Sequence, residues 1–188
     1  MSARILVFAG SARRGSLNKK LAGVLAQAVR DAGGEASLID LADFDMLLYH
    51  GDWESENGVP ERARALNTLL QSHDGLALAS PENNASVSSL MKNTLDWLSR
   101  IDAGAAFQGK TALLTAASPG ALGGLRGLNH LRDILHTLGV STLPQTLAIS
   151  RAHEAFGQDG KLSDARQQSQ VEKLAARLVA VTGAVKAL

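Results

Sequence analysis

Five short apolar runs alternate with helical patterns along this chain of 188 residues, and that alternation admits few folds. The runs are Arg4 to Ala9, Ala36 to Leu41, Gly75 to Ser80, Thr111 to Ala117 and Ser141 to Ile149. The helical patterns cover Asn18 to Ala32, Pro60 to Gln71, Ser86 to Arg100, Gly123 to Leu138 and Ser163 to Val181, with Ser163 as the expected cap of the last. Strand and helix in strict alternation predict a parallel sheet with helices on both faces. The first run contains Ile5, Leu6, Val7 and Phe8 with no polar residue between them, as a strand buried on both sides requires. In the first helix Leu21, Val24, Leu25, Ala28 and Val29 share one stripe, and Gly33-Gly34 stops it. No repeat or linker interrupts the pattern, so residues 1–188 are expected to form one domain.

The turn after the first strand concentrates the chemistry. Gly10-Ser11-Ala12-Arg13-Arg14-Gly15-Ser16-Leu17-Asn18 runs from strand end to helix start. Strand, donor-rich loop and helix N-terminus is a geometry that binds anions, because unpaired N–H groups and the helix dipole both favour negative charge. Ser11 and Ser16 add hydroxyls, Asn18 an amide and Arg13 a guanidinium. Ser16 or Asn18 alone would read as a helix cap; the cluster predicts a phosphate site. Two further loops fall at strand ends, Ser80 to Ser86 and Ala117 to Gly124. Ligands of open parallel sheets bind beyond the carboxyl ends of the strands, so the three loops together predict a crevice.

Charge and composition remove several alternatives. Lys and Arg number 19 against 18 Asp and Glu, which leaves no electrostatic footprint for nucleic acid or an anionic membrane. No apolar run reaches the roughly 20 residues of a spanning helix, and no signal peptide is expected. The chain has no cysteine, hence no disulfide, thiolate metal site or cysteine nucleophile, and a cytoplasmic location is the expectation. His50, His73, His130, His136 and His153 show no i,i+4 pairing, so they are expected at the surface or at an interface, with no metal site. Asp40 follows the second strand without the G-x-G-x-x-G of a dinucleotide fold and is read as a loop anchor. Arg14, Lys19 and Lys20 read as a solvated basic face. Trp53 and Tyr49 lie in a polar connection expected either to fold over the crevice or to meet another subunit, and Trp97 is expected in the core or a dimer interface.

Four motifs, in order, resemble the NADPH-dependent FMN reductase family, a flavodoxin-like group that includes quinone and chromate reductases. They are Gly10-Ser11-x-Arg13-x-x-Ser16-x-Asn18, Pro81-Glu82-x-Asn84-x-Ser86, Leu90-x-Lys92-Asn93-x-x-Asp96-Trp97 and Ser118-Pro119-Gly120-x-x-Gly123-Gly124. The resemblance implies a three-layer, doubly wound α/β fold with a five-stranded parallel sheet in the order 2-1-3-4-5. It implies an FMN phosphate site from Ser11, Arg13, Ser16, Leu17 and Asn18. Pro81, Glu82, Asn83 and Asn84 would line one edge of the isoalloxazine, and Ser118, Gly120 and Gly123 its pyrimidine end. NADPH or NADH would supply hydride, and a quinone, free flavin, azo compound or metal oxyanion would accept electrons. No side chain need be a nucleophile or general acid, because the redox chemistry belongs to flavin N5. The helix with Asp96 and Trp97 resembles the dimerising segment, which implies a homodimer or homotetramer. There are two departures from the pattern: Asn83 stands where the family usually has tyrosine, and Ser88-Ser89 where it has proline-glycine. A flavodoxin-like binding or regulatory protein with weak or no FMN binding is the alternative reading.

Overall fold

A computed structural model describes residues 2–187. Its main sheet is parallel: β1 (Arg4–Ala9) lies between β2 (Glu35–Ile39) and β3 (Gly75–Ala79), and β3 pairs with β6 (Thr111–Ala117). Beyond β6 lie β7 (Ser141–Thr142) and β8 (Leu147–Ile149), which pair with its beginning and its end. The order is therefore the expected 2-1-3-4-5, with the fifth strand in two pieces. The split has a covalent cause. Pro144 has no N–H to donate, and residues 143–146 bow out opposite Leu113 and Leu114 alone.

Alternation along β1 sends its side chains into two cores. Ile5, Val7 and Ala9 pack with Leu21, Leu25 and Val29 of α1 (Leu17–Asp31) and with Leu174 and Leu178 of α6 (Ala165–Lys186). Leu6 and Phe8 pack on the other face with α3 (Glu61–Gln71), α4 (Ser89–Ser99) and α5 (Leu125–Thr137), through Leu66, Leu70, Met91, Leu95 and Leu128. Burying one such leucine or isoleucine contributes about 1.5–3 kcal/mol, so the two cores dominate folding.

Two helix starts differ from expectation in an instructive way. The third expected helix begins three residues late, at Ser89, because β4 (Glu82–Asn83) and β5 (Ser86–Val87) form an antiparallel hairpin that uses Ser86. Its turn residues, Asn84 and Ala85, have φ of +50° and +64°. The last helix is capped by Asp164, whose carboxylate accepts from Arg166 N and Gln167 N, and Ser163 lies outside it. The connection from Ala42 to Pro60 holds a 3-10 helix (Leu41–Phe44) and α2 (Gly51–Asn57). A second 3-10 segment, Ile101–Phe107, joins α4 to β6.

Tyr49 and Trp53 do not close over the crevice. Both rings pack edge-on against Trp97, at 5.1 and 5.8 Å between centroids. Trp97 is fully buried and donates from Nε1 to Leu47 O, which makes it a core residue. His73 also departs from the surface expectation. It is buried, with Nδ1 against Leu69 O and Nε2 against the Ser37 hydroxyl. Lys110, beside it, donates to His73 O; burial pushes its ammonium pKa down, with the Asp74 carboxylate opposing. No described helix is long and apolar enough to cross a membrane.

Candidate active site

The loops after β1, β3 and β6 enclose a cavity of about 460 Å3. Ser11, Arg13, Ser16, Leu17, Asn18, Pro81, Glu82, Asn83 and Ser118 all line it. Three expected residues do not. Asn84 faces the other side of the hairpin, Gly120 is exposed, and Gly123 is packed behind its loop, where an added Cβ would meet the Ala148 and Ile149 carbonyl carbons at 2.8 Å.

The loop from Ser11 to Asn18 offers donors that nothing in the chain uses. Among the described residues, the N–H groups of Ser11, Ala12, Arg14, Gly15, Leu17 and Asn18 make no hydrogen bond within the protein. The Ser16 hydroxyl accepts from Lys19 N and so starts α1, leaving its proton to donate outward. Ser11 accepts from Arg13 N in the same way. Both serines are buried, whereas the Arg13 side chain is exposed and paired with no described carboxylate. The first turn of α1 carries no acidic residue, so its positive end is uncompensated.

Asn18 has a different task from the expected one. Its Nδ2 donates to Ala117 O and its Oδ1 accepts from Ala117 N, both at 2.9 Å. The side-chain amide is spent on the end of β6, so only the backbone N–H of Asn18 is left for an anion. Lys19 is equally committed, to Asp40 Oδ2 and Ala12 O, and is not part of a free basic face. Asp40 is the loop anchor it was expected to be, since its other oxygen accepts from Ala42 N and caps the 3-10 helix.

Glu82 contributes its backbone to the cavity and turns its carboxylate away. Gly124 leaves α5 with no side-chain cap, and Glu82 supplies one from the hairpin. Its oxygens accept from Arg126 N at 2.9 Å, Gly127 N at 3.2 Å and the Arg126 guanidinium. Burial pushes the Glu82 carboxyl up, but Arg126 and these two N–H groups outweigh it and hold it below its ordinary value. The cavity is thus left with no free carboxylate to oppose an anion.

Gly10, Ser88, Ser89, Leu90 and Pro119 also line the cavity, although the sequence reasoning, which named them in its motifs or as a departure, assigned none of them to the site. Space around Gly10 is tight: a Cβ there would lie 3.0 Å from Met91 Cβ. Ser88 donates to Gly10 O at 2.7 Å and accepts from Met91 N, so one hydroxyl caps α4 and fastens it to the end of β1. The unusual Ser88-Ser89 pair was the available signal. Among the described residues no three His, Asp or Glu side chains come together as a metal site.

A parallel sheet in the order 2-1-3-4-5, with a donor-rich loop after its first strand, defines a flavodoxin-like protein with a mononucleotide crevice. The profile of the family described as NADPH-dependent FMN reductase matches residues 3–154, and the chain belongs to that family. It is 35% identical over 132 residues to a quinone reductase of Escherichia coli K12, covering 70% of this chain and 69% of that one. It is 31% identical over 175 residues to an NAD(P)H-dependent FMN reductase of Pseudomonas aeruginosa, covering 90% of each. Among solved structures it is similar to a flavoenzyme NAD(P)H:(acceptor) oxidoreductase from Paracoccus denitrificans, with a TM-score of 0.83, 25% identity and coverage of 96% and 97%.

Proposed function

We propose that the crevice holds FMN by its phosphate, with the chain acting as an NAD(P)H-dependent reductase of quinone-type acceptors. The observation that carries the phosphate assignment is the set of unused N–H groups around Ser11, Ser16 and Arg13, with no free carboxylate in reach. When bound, FMN supplies a ring that takes hydride from a nicotinamide and passes two electrons to the acceptor. Ser11, Ser16, Leu17 and Asn18 would hold the phosphate through hydroxyl and backbone donors, and Arg13 would close over it from solvent. Pro81, Glu82 and Asn83 would flank the ring on one side and Ser118 on the other, with Asn84, Gly120 and Gly123 shaping those loops from behind.

The chain has to position, and no side chain has to carry a proton to carbon. Asn18 and Ser88 fix the loops against each other, and the Glu82 cap fixes the hairpin against α5. The quinone acceptor class is supported by the relatives' names. A cytoplasmic setting follows from the need for reduced nicotinamide. Assembly as a homodimer or homotetramer would use the exposed Lys92–Asp96 stripe of α4 and Leu48, which is 75% exposed. Anaerobic oxidation of NADH or NADPH by the FMN-loaded protein, with benzoquinone as acceptor, tests the activity. Turnover that depends on both FMN and quinone is expected. No turnover by fully loaded protein would leave a flavodoxin-like binding protein in its place.

A further inference from the structure

A second recess of about 550 Å3 lies against the phosphate loop, on the far side of Lys19. Ala9 and Ala22 lie deepest in it; Leu38, Ile39 and Phe44 line it, and Lys19, Asp40 and Asp43 supply its polar groups. It exists because β2 is an edge strand: Leu38 sits opposite Val7 on the face of α1 yet is 47% exposed. The family comparison assigns nothing to this recess, and the flavin reading of the neighbouring cavity leaves it unused.

We propose that this recess takes the adenosine of a dinucleotide whose ribose 2′-hydroxyl is free. Small alanines at depth, an aliphatic wall and one phenylalanine suit a purine, which prefers a mostly apolar cavity with few polar groups at its rim. Carboxylates accept hydrogen bonds from a ribose diol, and, with Lys19 paired to Asp40, the unpaired Asp43 is the charge that repels a 2′-phosphate. Asp40 spends one lone pair of each oxygen, on Ala42 N and on Lys19 Nζ, and keeps the others. Asp43 is exposed and its carboxylate has no partner among the described residues. In dinucleotide folds an acid just past the second strand holds a ribose; Asp40 has that place here without the glycine motif, so its free lone pairs and the unpartnered Asp43 carry the assignment. Lys19 sets the distance: its Nζ lies 3.2 Å from Ala12 O in the phosphate loop and 2.5 Å from Asp40. Lys19 therefore lines the recess and reaches the carbonyl of Ala12, a residue that lines the phosphate cavity, so the two cavities are neighbours across one side chain.

Two molecules carry this chemistry, FAD and NADH, and only the FAD route rests on the flavin assignment above. The probe is AMP, titrated into FMN-loaded protein and followed by saturation-transfer NMR. AMP is expected to bind without displacing FMN, and adenosine 2′,5′-bisphosphate to bind about tenfold more weakly. Leu38→Glu is expected to abolish AMP binding and leave FMN affinity unchanged, and Asp43→Asn to narrow the 2′-phosphate discrimination. The source is read from the same variant. If FAD binds more tightly than FMN and Leu38→Glu removes the difference, the occupant is the flavin's adenylate. If FAD and FMN bind alike and only the NADH dissociation constant rises, the occupant is the reductant's. AMP that fails to bind, that binds equally to Leu38→Glu, or that competes with FMN overturns the proposal. Failure of FMN itself to bind counts against the phosphate loop and leaves the AMP result on wild-type protein to decide the recess.

Discussion

Asn18 holds Ala117 by both edges of its side-chain amide, one hydrogen bond to the carbonyl and one from the N–H. The pair joins the first turn of α1 to the last residue of β6, so two of the three loops around the cavity cannot move apart independently. Asn18 is 3% exposed, and water does not replace it readily. Asn18→Ala leaves two buried backbone groups unpaired, each costing about 1–3 kcal/mol. We expect it to lower the urea midpoint substantially and also to weaken FMN binding. Asn18→Asp restores the acceptor but sets a carboxylate oxygen against Ala117 O, and is expected to rescue neither.

The phosphate loop predicts an order of effects. Hydrogen bonds to a charged group contribute about 1.5–3 kcal/mol each. Removing two of them, in Ser11→Ala with Arg13→Ala, should raise the FMN dissociation constant about a hundredfold or more. Asn83 is exposed at the hairpin and offers no ring to stack, so Asn83→Ala should change it little. Quenching of flavin fluorescence measures both, and equal effects would mean that the phosphate is not the anchor.

Glu82 ties stability to acid pH. Its folded carboxyl pKa lies below the ordinary 4.5. The stability it contributes is therefore fully present above that ordinary value and is lost as pH falls through the lowered one. Urea unfolding from pH 6 downward should show wild type losing more stability than Glu82→Gln, which has no charge to lose. Arg126 is largely exposed, so salt should weaken the difference only partly, the two N–H partners being insensitive to it. A parallel decline of the two proteins would contradict the cap.

The hairpin turn is imperfect in a way that can be repaired. Asn84 tolerates positive φ, but Ala85 does so against its Cβ, at about 1–2 kcal/mol. A two-residue turn with both φ values positive favours Asn-Gly. Ala85→Gly should stabilise the protein by about 1 kcal/mol in urea unfolding, part of the relief being offset by chain entropy. Destabilisation would mean that the Ala85 methyl is used in packing.

The parallel sheet and the crevice were legible because alternation of apolar runs and the position of loops at strand ends are local signals; the strand order came from the family resemblance. The hairpin of Glu82 to Val87 was not, since a two-residue strand has no period to detect and Ser86 looks like a cap. Nor was the division at Pro144, although proline in an expected strand is a warning. Asn18 and Lys19 show the deeper limit. Asn18 was expected to donate to a ligand and Lys19 to face solvent, but their partners, Ala117 and Asp40, are distant in sequence and become neighbours only in the fold. The same holds for Tyr49 and Trp53, whose aromatic surface is claimed by Trp97 rather than by the crevice.

Grip on the phosphate is the claim on which the rest depends. The direct measurement is an equilibrium titration of flavin-free protein with FMN and with riboflavin, in phosphate-free buffer. FMN should bind at micromolar concentration or below, and about a hundredfold more tightly than riboflavin. Equal affinity for the two flavins, or none for FMN, would contradict it.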